Sequence, residues 1–509
     1  MKQGIPKHRL FLAAILFAVA SIFFATFSCP VSALTEVELR PVDTPNGAVL
    51  FIVDGMSAPF VYPELTPYAL DGTVLERARL EAIPEISKES AKVLELRVPQ
   101  TFTEGGHSVL ATGNPGADSE MVSFRDATIF DVLHEQGYLC IAVMEKGDSW
   151  SICAEQDAIL RDEKNSISKL EPTLESYEHN PGPSKVPSGL LDTMEEEAAK
   201  APAYVSSKET GERYSGYNRW GIDASCAVVE YMAEEYPGQK YLLTVNVGAV
   251  DMSGHYRGNY GYLDCIECLD ADLMPLYELC TENNIAFILT ADHGMAFPTD
   301  DSRGGHQGEK YSVSDEAQLV PFIVRAPDVE SGLIREEFGQ EDVAATLLGV
   351  LNVPGKPRFS DGEQIVLKSY VNLKVKLPGK GSVELLKAGK PIASPKNDDE
   401  FLFLGLEPAC TYTLRASFGG EDGPEEKEEE IFLKTDSVIE FRDLSLKPGA
   451  ESESGVGNTA ANEPCPWSSS GTENNGIFGL SFRHLTGYFL IGIINLTGLV
   501  IIAKILKRP

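Results

Sequence analysis

Positive charge is what this 509-residue sequence has least of: 43 Lys and Arg stand against 76 Asp and Glu, a formal net charge of −33 at pH 7. A surface so short of cations cannot neutralise a phosphate backbone, which argues against nucleic acid as a partner. A solvated acidic surface accounts for the charge without any special ligand. Cysteine is also sparse, nine in all, and the spacings match no zinc framework. Cys265 and Cys268 make one CxxC inside a helical pattern, with no second pair. Most of these thiols read as small core residues, although any outside the cell could pair. No internal repeat is evident. What remains, 43% hydrophobic and 23% charged residues, is the composition of a globular protein with a full core, long enough for more than one domain.

The two ends are apolar. Residues 1–33 read as a secretory signal. Lys2, Lys7 and Arg9 give a basic start, Leu10 to Phe27 is nearly unbroken apolar sequence, and Val31-Ser32-Ala33 offers small residues for cleavage. The run is long for a signal, and an uncleaved anchor is the alternative. Phe27 at the middle of the lipobox position before Cys29 argues against a lipoprotein. At the other end, residues 485–503 hold no charge, close to the ~20 residues a bilayer requires. The basic residues Lys504, Lys507 and Arg508 in the tail 504–509 place that tail in the cytoplasm and all that precedes the segment outside. An LPxTG wall-sorting sequence is missing. The basic end also disagrees with a GPI signal. Residues 448–484, rich in Ser, Gly, Asn and Glu at their start, read as a flexible stalk.

Between these ends the pattern changes once. Residues 34–367 alternate apolar runs with helical patterns. Strands are expected near 48–53, 93–99, 138–144, 241–250, 284–290 and 319–325, and helices near 124–136, 221–236 and 262–282. Such alternation predicts an α/β fold, a mostly parallel sheet with helices on both faces. About 145–221 the sequence is poorer in pattern and reads as an insertion, a cap or long loop over the site. Residues 368–447 carry short alternating runs with turn residues between them, which predicts an antiparallel β-sandwich.

The chemistry gathers at strand ends. Ile285 to Thr290 leads into Asp292-His293-Gly294, Leu242 to Val250 into Asp251 and His255, and Ala48 to Val53 into Asp54. A Gly304-Gly305-His306 loop supplies another imidazole. Carboxylates and imidazoles at the carboxyl ends of buried strands sit where open α/β sheets bind ligands, and both groups ligate zinc-like ions. An apolar run ending at Val98 leads to Thr101 and Thr103, followed by Gly105-Gly106 and a helical pattern. A hydroxyl at a helix amino end faces backbone N–H groups that bind phosphate. Thr103 can equally serve as an N-cap without catalytic work, and the spacing does not choose between Thr101 and Thr103.

The set Asp54, Thr103, Asp251-x-x-x-His255, Asp292-His293 and His306 resembles the alkaline phosphatase superfamily of two-metal hydrolases and mutases. The resemblance covers about 330 residues, and its ligand order agrees with the family. It implies one metal held by Asp54, Thr103, Asp292 and His293, and another held by Asp251, His255 and His306. Thr103 would be the metal-bound nucleophile. The stretches Asp251 to His255 and Thr103 to His107 look like cofactor-independent phosphoglycerate mutase. Asp292 to Met295 and the GGH loop look like phosphodiesterases and ethanolamine-phosphate transferases. Glu341 to Val350 resembles the terminal helix of sulfatases, but the CxPxR signature is absent, which argues against sulfatase activity.

The resemblance implies a metal-dependent phosphoric ester hydrolase, a phosphatase or phosphodiesterase acting on a phosphate-ester substrate, and the two apolar ends make it a membrane-anchored, extracellular one. Two divalent ions are implied, Zn²⁺ first and Mn²⁺ where oxygen ligands dominate. Two alternatives stand beside this: a phosphomutase-like or phospho-group transferase, and a non-catalytic surface binding protein with a vestigial metal site. His107 reads as a packed residue near the site, and His134 and His179 as surface residues.

Overall fold

The computed structural model describes residues 34–145, 150–164, 166–179, 185–207, 209–420 and 423–442. The signal, the whole stalk 448–484, the apolar segment 485–503 and the tail lie outside the described residues. Among the described residues, no helix is long and apolar enough to cross a membrane.

Nine strands form the larger sheet: β2 (Gly47–Val53), β3 (Ala91–Arg97), β4 (Leu139–Met144), β5 (Ala158–Asp162), β6 (Pro172–Ser176), β7 (Tyr241–Val247), β8 (Ile285–Thr290), β9 (Leu319–Arg325) and β10 (Gly332–Gly339). Their order is β10-β3-β9-β8-β2-β7-β4-β5-β6. The central run from β8 to β5 is parallel throughout. Only β9 and β6 run against the rest, so the sheet is mostly parallel, as expected. The reason is visible in β2, β4, β5, β7 and β8, whose residues are all buried. Continuous apolar runs suit strands covered on both faces, and polar residues are left for the ends.

Several boundaries move. Residues 145–221 do not form a separate cap: β5 and β6 extend the sheet, and helices Ser188–Tyr204 and Thr210–Glu235 pack against it and each other. The run Ala158-Ile159-Leu160 is too short to announce itself as a strand. The helix expected over 124–136 is confined to Ile129–Glu135, and a separate short helix, Ser119–Val122, precedes that span. Asp126 takes a positive φ of 62°, and a Thr128/Asp131 capping box starts the second helix. Strand β7 stops at Val247, and a helix Ala249–Glu282 begins at once. That helix breaks at Gly258, where φ is 74° and a Cβ would meet the Ser302 carbonyl oxygen at 2.7 Å. Only glycine fits both the sign of φ and the space.

The second sheet has seven strands: β1 (Leu34–Glu38), β11 (Val371–Lys387), β12 (Lys390–Ala393), β13 (Lys396–Leu406), β14 (Cys410–Gly420), β15 (Gly423–Leu433) and β16 (Ser437–Glu440). It departs from the expected antiparallel sandwich in being one connected sheet. The first part of β11 pairs with β13 and, in parallel, with β16; its last part pairs with β14 and β12. Register shifts fall between Lys376 and Ser382. Strand β1 also joins it, parallel to β13, so residues 34–38 belong with this sheet and not with the catalytic one. Phe401, Phe403, Leu373, Val375 and Leu414 form its core.

Candidate metal centre

All seven expected residues meet at the carboxyl ends of the parallel strands. Asp54 follows β2, Asp292 and His293 follow β8, and Asp251 lies in the first turn of the helix after β7. Asp54 and Asp251 are tied directly, since the Asp251 N–H donates to the Asp54 carbonyl at 3.1 Å. Five of the seven, Asp54, Asp251, Asp292, His293 and His306, are 5% exposed or less. Concentrating three carboxylates in so little water is costly unless cations compensate.

His293 is the hub. Its Nε2 lies 3.2 Å from the Thr103 hydroxyl, 3.6 Å from Asp54 Oδ1 and 3.4 Å from Asp292 Oδ2. Its ring stacks on His306 with centroids 3.8 Å apart. The His306 Nε2 lies 3.5 Å from Asp251 Oδ1 and 3.0 Å from His255 Nε2, and His255 Nε2 lies 3.3 Å from Asp251 Oδ1. Two donor groups result, Asp54/Asp292/His293 and Asp251/His293/His306, each with ligand atoms within 4.8 Å of one another. His255 adjoins the second group.

The tautomers follow from the outer hydrogen bonds. His293 Nδ1–H donates to the Gly294 carbonyl (3.0 Å), His306 Nδ1–H to Thr101 (2.7 Å) and His255 Nδ1–H to Gly304 (3.1 Å). A carbonyl only accepts, so each neutral ring turns its Nε2 lone pair inward, the arrangement metal-bound histidines adopt. Burial first, and the neighbouring His293 second, push the His306 pKa down to about 3. His306 is therefore neutral near pH 7. The Nε2 atoms of His255 and His306 lie 3.0 Å apart, and a cation held between them would take both lone pairs. Carboxylate oxygens and imidazole nitrogens in this density fit divalent ions of the zinc or manganese kind.

Thr103 opens the helix Thr103–Thr112, with Phe102, not Thr103, at the N-cap and no side-chain cap bond. The threonine hydroxyl therefore faces His293 instead of capping. Thr101 contributes its carbonyl to His306, so the two threonines have different places. The helix approaches the site closely: a Cβ at Gly106 would lie 2.2 Å from the Asp292 carbonyl oxygen. This contact explains Gly106 and brings the helix amino end beside the carboxylates.

Apart from His107, which was expected as a packed residue near the site, the supporting residues are not legible in the sequence. Asp292 Oδ1 accepts from the N–H groups of Gly55 (3.0 Å) and His293 (2.9 Å), which leaves Oδ2 toward His293 and, at 3.5 Å, His107 Nδ1. His107 also donates to the Thr103 carbonyl at 2.8 Å; it is fully buried. Gln340 Nε2 donates to the carbonyls of Ala291 and Asp292, both at 2.9 Å. Tyr262 OH donates to the Gly55 carbonyl and accepts from Ser57 N–H. Gln340 and Tyr262 are distant in sequence from the residues they serve and carry no motif. A groove of about 880 Å³ is lined by Arg219, Arg257 and Asp264 among others, and none of the seven residues lines it.

Residues 222–354 match the model of the Metalloenzyme superfamily, a span that contains Asp251, His255, Asp292, His293 and His306. The chain is similar to 2,3-bisphosphoglycerate-independent phosphoglycerate mutases. With that of Brugia malayi it shares 27% identity over 148 residues, 28% of this chain and 27% of the relative. With that of Acinetobacter baylyi it shares 30% over 132 residues, 26% and 24% of the two chains. The chain thus spans about a quarter of the length of the curated relatives it matches. Similar solved structures include wild-type alkaline phosphatase PafA, with TM-score 0.45 and 12% identity over 65% of this chain and 100% of that one. Another is the phosphonate monoester hydrolase SpPMH from Silicibacter pomeroyi, with TM-score 0.41 and 12% identity over 76% and 88%.

Proposed function

We propose that this chain is a phosphoric ester hydrolase of the alkaline phosphatase superfamily in which Thr103 is the nucleophile; the match of residues 222–354 to the Metalloenzyme superfamily supports the reading. The observation that carries the reading is the position of the Thr103 hydroxyl, 3.2 Å from His293 Nε2 at the junction of the two donor groups. With an ion bound, the His293 Nε2 lone pair would be given to it, and the Thr103 hydroxyl beside it, losing its proton to solvent, would be the attacking oxygen. Asp54, Thr103, Asp292 and His293 would hold one divalent ion, and Asp251, His255 and His306 the other. When bound, these ions supply positive charge to the phosphoryl oxygens and the leaving oxygen. The N–H groups at the start of the helix Thr103–Thr112 orient the phosphoryl group. The Thr103 oxygen forms the new bond to phosphorus as the ester oxygen departs, and water later releases phosphate from Thr103. His107 and Gln340 hold Thr103 and Asp292 in register.

The reading extends to place. The basic start, the apolar run before Cys29 and the apolar segment 485–503 with its basic tail support an enzyme anchored in a membrane with its catalytic domain outside. That setting favours hydrolysis over a sugar-phosphate mutase, whose substrates are intracellular. Turnover of nitrophenyl phosphate and bis(nitrophenyl) phosphate by the full chain loaded with Zn²⁺ or Mn²⁺ tests the assignment. Release of nitrophenol from either supports a hydrolase and ranks monoester against diester. Inertness toward both, with metal bound, contradicts it.

A further inference from the structure

A second histidine cluster lies at the opposite end of the same sheet. His134 and His179 were expected at the surface. Instead His134 is 4% exposed, Asp157 is 2% exposed, and His179 is half-buried against them. His134 Nε2 lies 3.0 Å from Asp157 Oδ2. The two imidazoles stack with centroids 4.4 Å apart and planes 16° from parallel. One ligand atom from each of the three residues falls within 4.8 Å of the others. Asp157 Oδ2 also accepts from the Cys140 N–H at 2.7 Å, which fixes the carboxylate at the amino end of β4. His179 Nε2–H reaches the Gln156 carbonyl at 3.2 Å.

The proposed catalytic residues follow the carboxyl ends of β2, β7 and β8. This cluster precedes β4 and β5, so about one strand length, roughly 20 Å, separates them. Nothing in the phosphoryl-transfer chemistry uses it. Two imidazoles and one carboxylate are a donor set for zinc, with bonds of about 2.0–2.2 Å and a fourth position for water. At those bond lengths, neighbouring ligand atoms stand about 3.3 Å apart, close to the 3.0 Å between His134 and Asp157. The three residues come from different elements: the helix Ile129–Glu135, the turn before β5, and the segment after β6. An ion here would clamp the outer strands β5 and β6 to the rest of the sheet.

We propose that His134, Asp157 and His179 form a structural site for one divalent transition metal ion, Zn²⁺ by donor type, separate from the catalytic centre. The test counts a difference, not a total, so it stands whatever the catalytic centre binds. Full-length protein and its His179→Gln variant are loaded with Zn²⁺, freed of excess metal and analysed for zinc per chain. His179 is the least buried of the three, so this variant retains the fold. The site predicts about one ion fewer per chain in His179→Gln. It also predicts that Zn²⁺ raises the thermal midpoint of wild type more than that of the variant, while nitrophenyl phosphate turnover stays within about twofold. A His134→Asn variant should show the same metal loss. Equal zinc content and equal Zn²⁺-dependent stabilisation in wild type and His179→Gln would overturn the proposal and leave the cluster as a hydrogen-bonded stack.

Discussion

The two sheets handle polar groups in opposite ways. In the nine-stranded sheet, the inner strands are apolar along their length, and the ionisable residues crowd at the carboxyl ends with acceptors facing acceptors. Asp54, Asp251 and Asp292 share a small buried volume with three imidazoles whose lone pairs point inward. Where the seven-stranded sheet meets the helix Asp342–Val350, the buried ionisable group has its complement. Lys368 Nζ donates to the carbonyls of Gly349 (2.9 Å) and Val350 (2.8 Å) and to Asn352 Oδ1 (2.7 Å). Asn372 Nδ2 donates to the same Asn352 oxygen and to Asp436 Oδ2. The second network is complete within the protein and ties structure together. The first gathers two groups of carboxylate and imidazole atoms close enough to hold metal ions. The contrast separates a site from a scaffold more sharply than burial alone, since both regions are buried.

Breaking the first region should abolish chemistry and spare folding. Thr103→Ala is expected to lower kcat by about a thousandfold or more, equivalent to about 4 kcal/mol of barrier, with metal content retained. Thr101→Ala should cost far less, because Thr101 serves His306 through its backbone carbonyl; turnover and metal analysis of the two variants check this. His306→Ala should reduce bound metal at the catalytic centre from about two ions toward one and lower turnover with it, which elemental analysis reads directly.

Breaking the second region should do the reverse. Phe403 is fully buried in the smaller core, and Phe403→Ala should cost about 3–5 kcal/mol of stability. Its kcat at temperatures where the protein is folded should match wild type. The smallest effect concerns Lys368, whose pKa burial pushes down from 10.5 to about 8, against the pull of Asp436 and Asp328. Between those values the unfolded chain binds more protons than the native state, so the Lys368 contribution makes stability rise with pH. Denaturant unfolding of Lys368→Met should lack that rise between pH 8 and pH 10.5, and a parallel pH dependence would remove Lys368 as its source.

The parts of this account legible in the sequence share one property: they are local. Strand β9 was placed at its observed bounds from a single apolar run, and Asp292-His293 announces itself in two adjacent residues. Long-range partners left no such mark. Strand β1 pairs with β13 across more than 350 residues, which no local pattern shows, and its assignment to the catalytic domain was wrong for that reason. Helix Thr210–Glu235 begins eleven residues before its expected start, because Gly211, Gly216 and Gly221 interrupt the apolar periodicity. His134 looked like a surface residue because its partners, Asp157 and His179, are 23 and 45 positions away. The seven site residues could be grouped only through the resemblance to a family, since the fold alone brings them together.

The central claim is that Thr103 carries the phosphoryl group. The most direct test is to quench full-length, metal-loaded enzyme with acid during turnover of nitrophenyl phosphate and map the phosphorylated peptide by mass spectrometry. The account predicts phosphate on Thr103 in wild type and none in Thr103→Ala. Phosphate on Thr101, or undiminished turnover by Thr103→Ala, would contradict it.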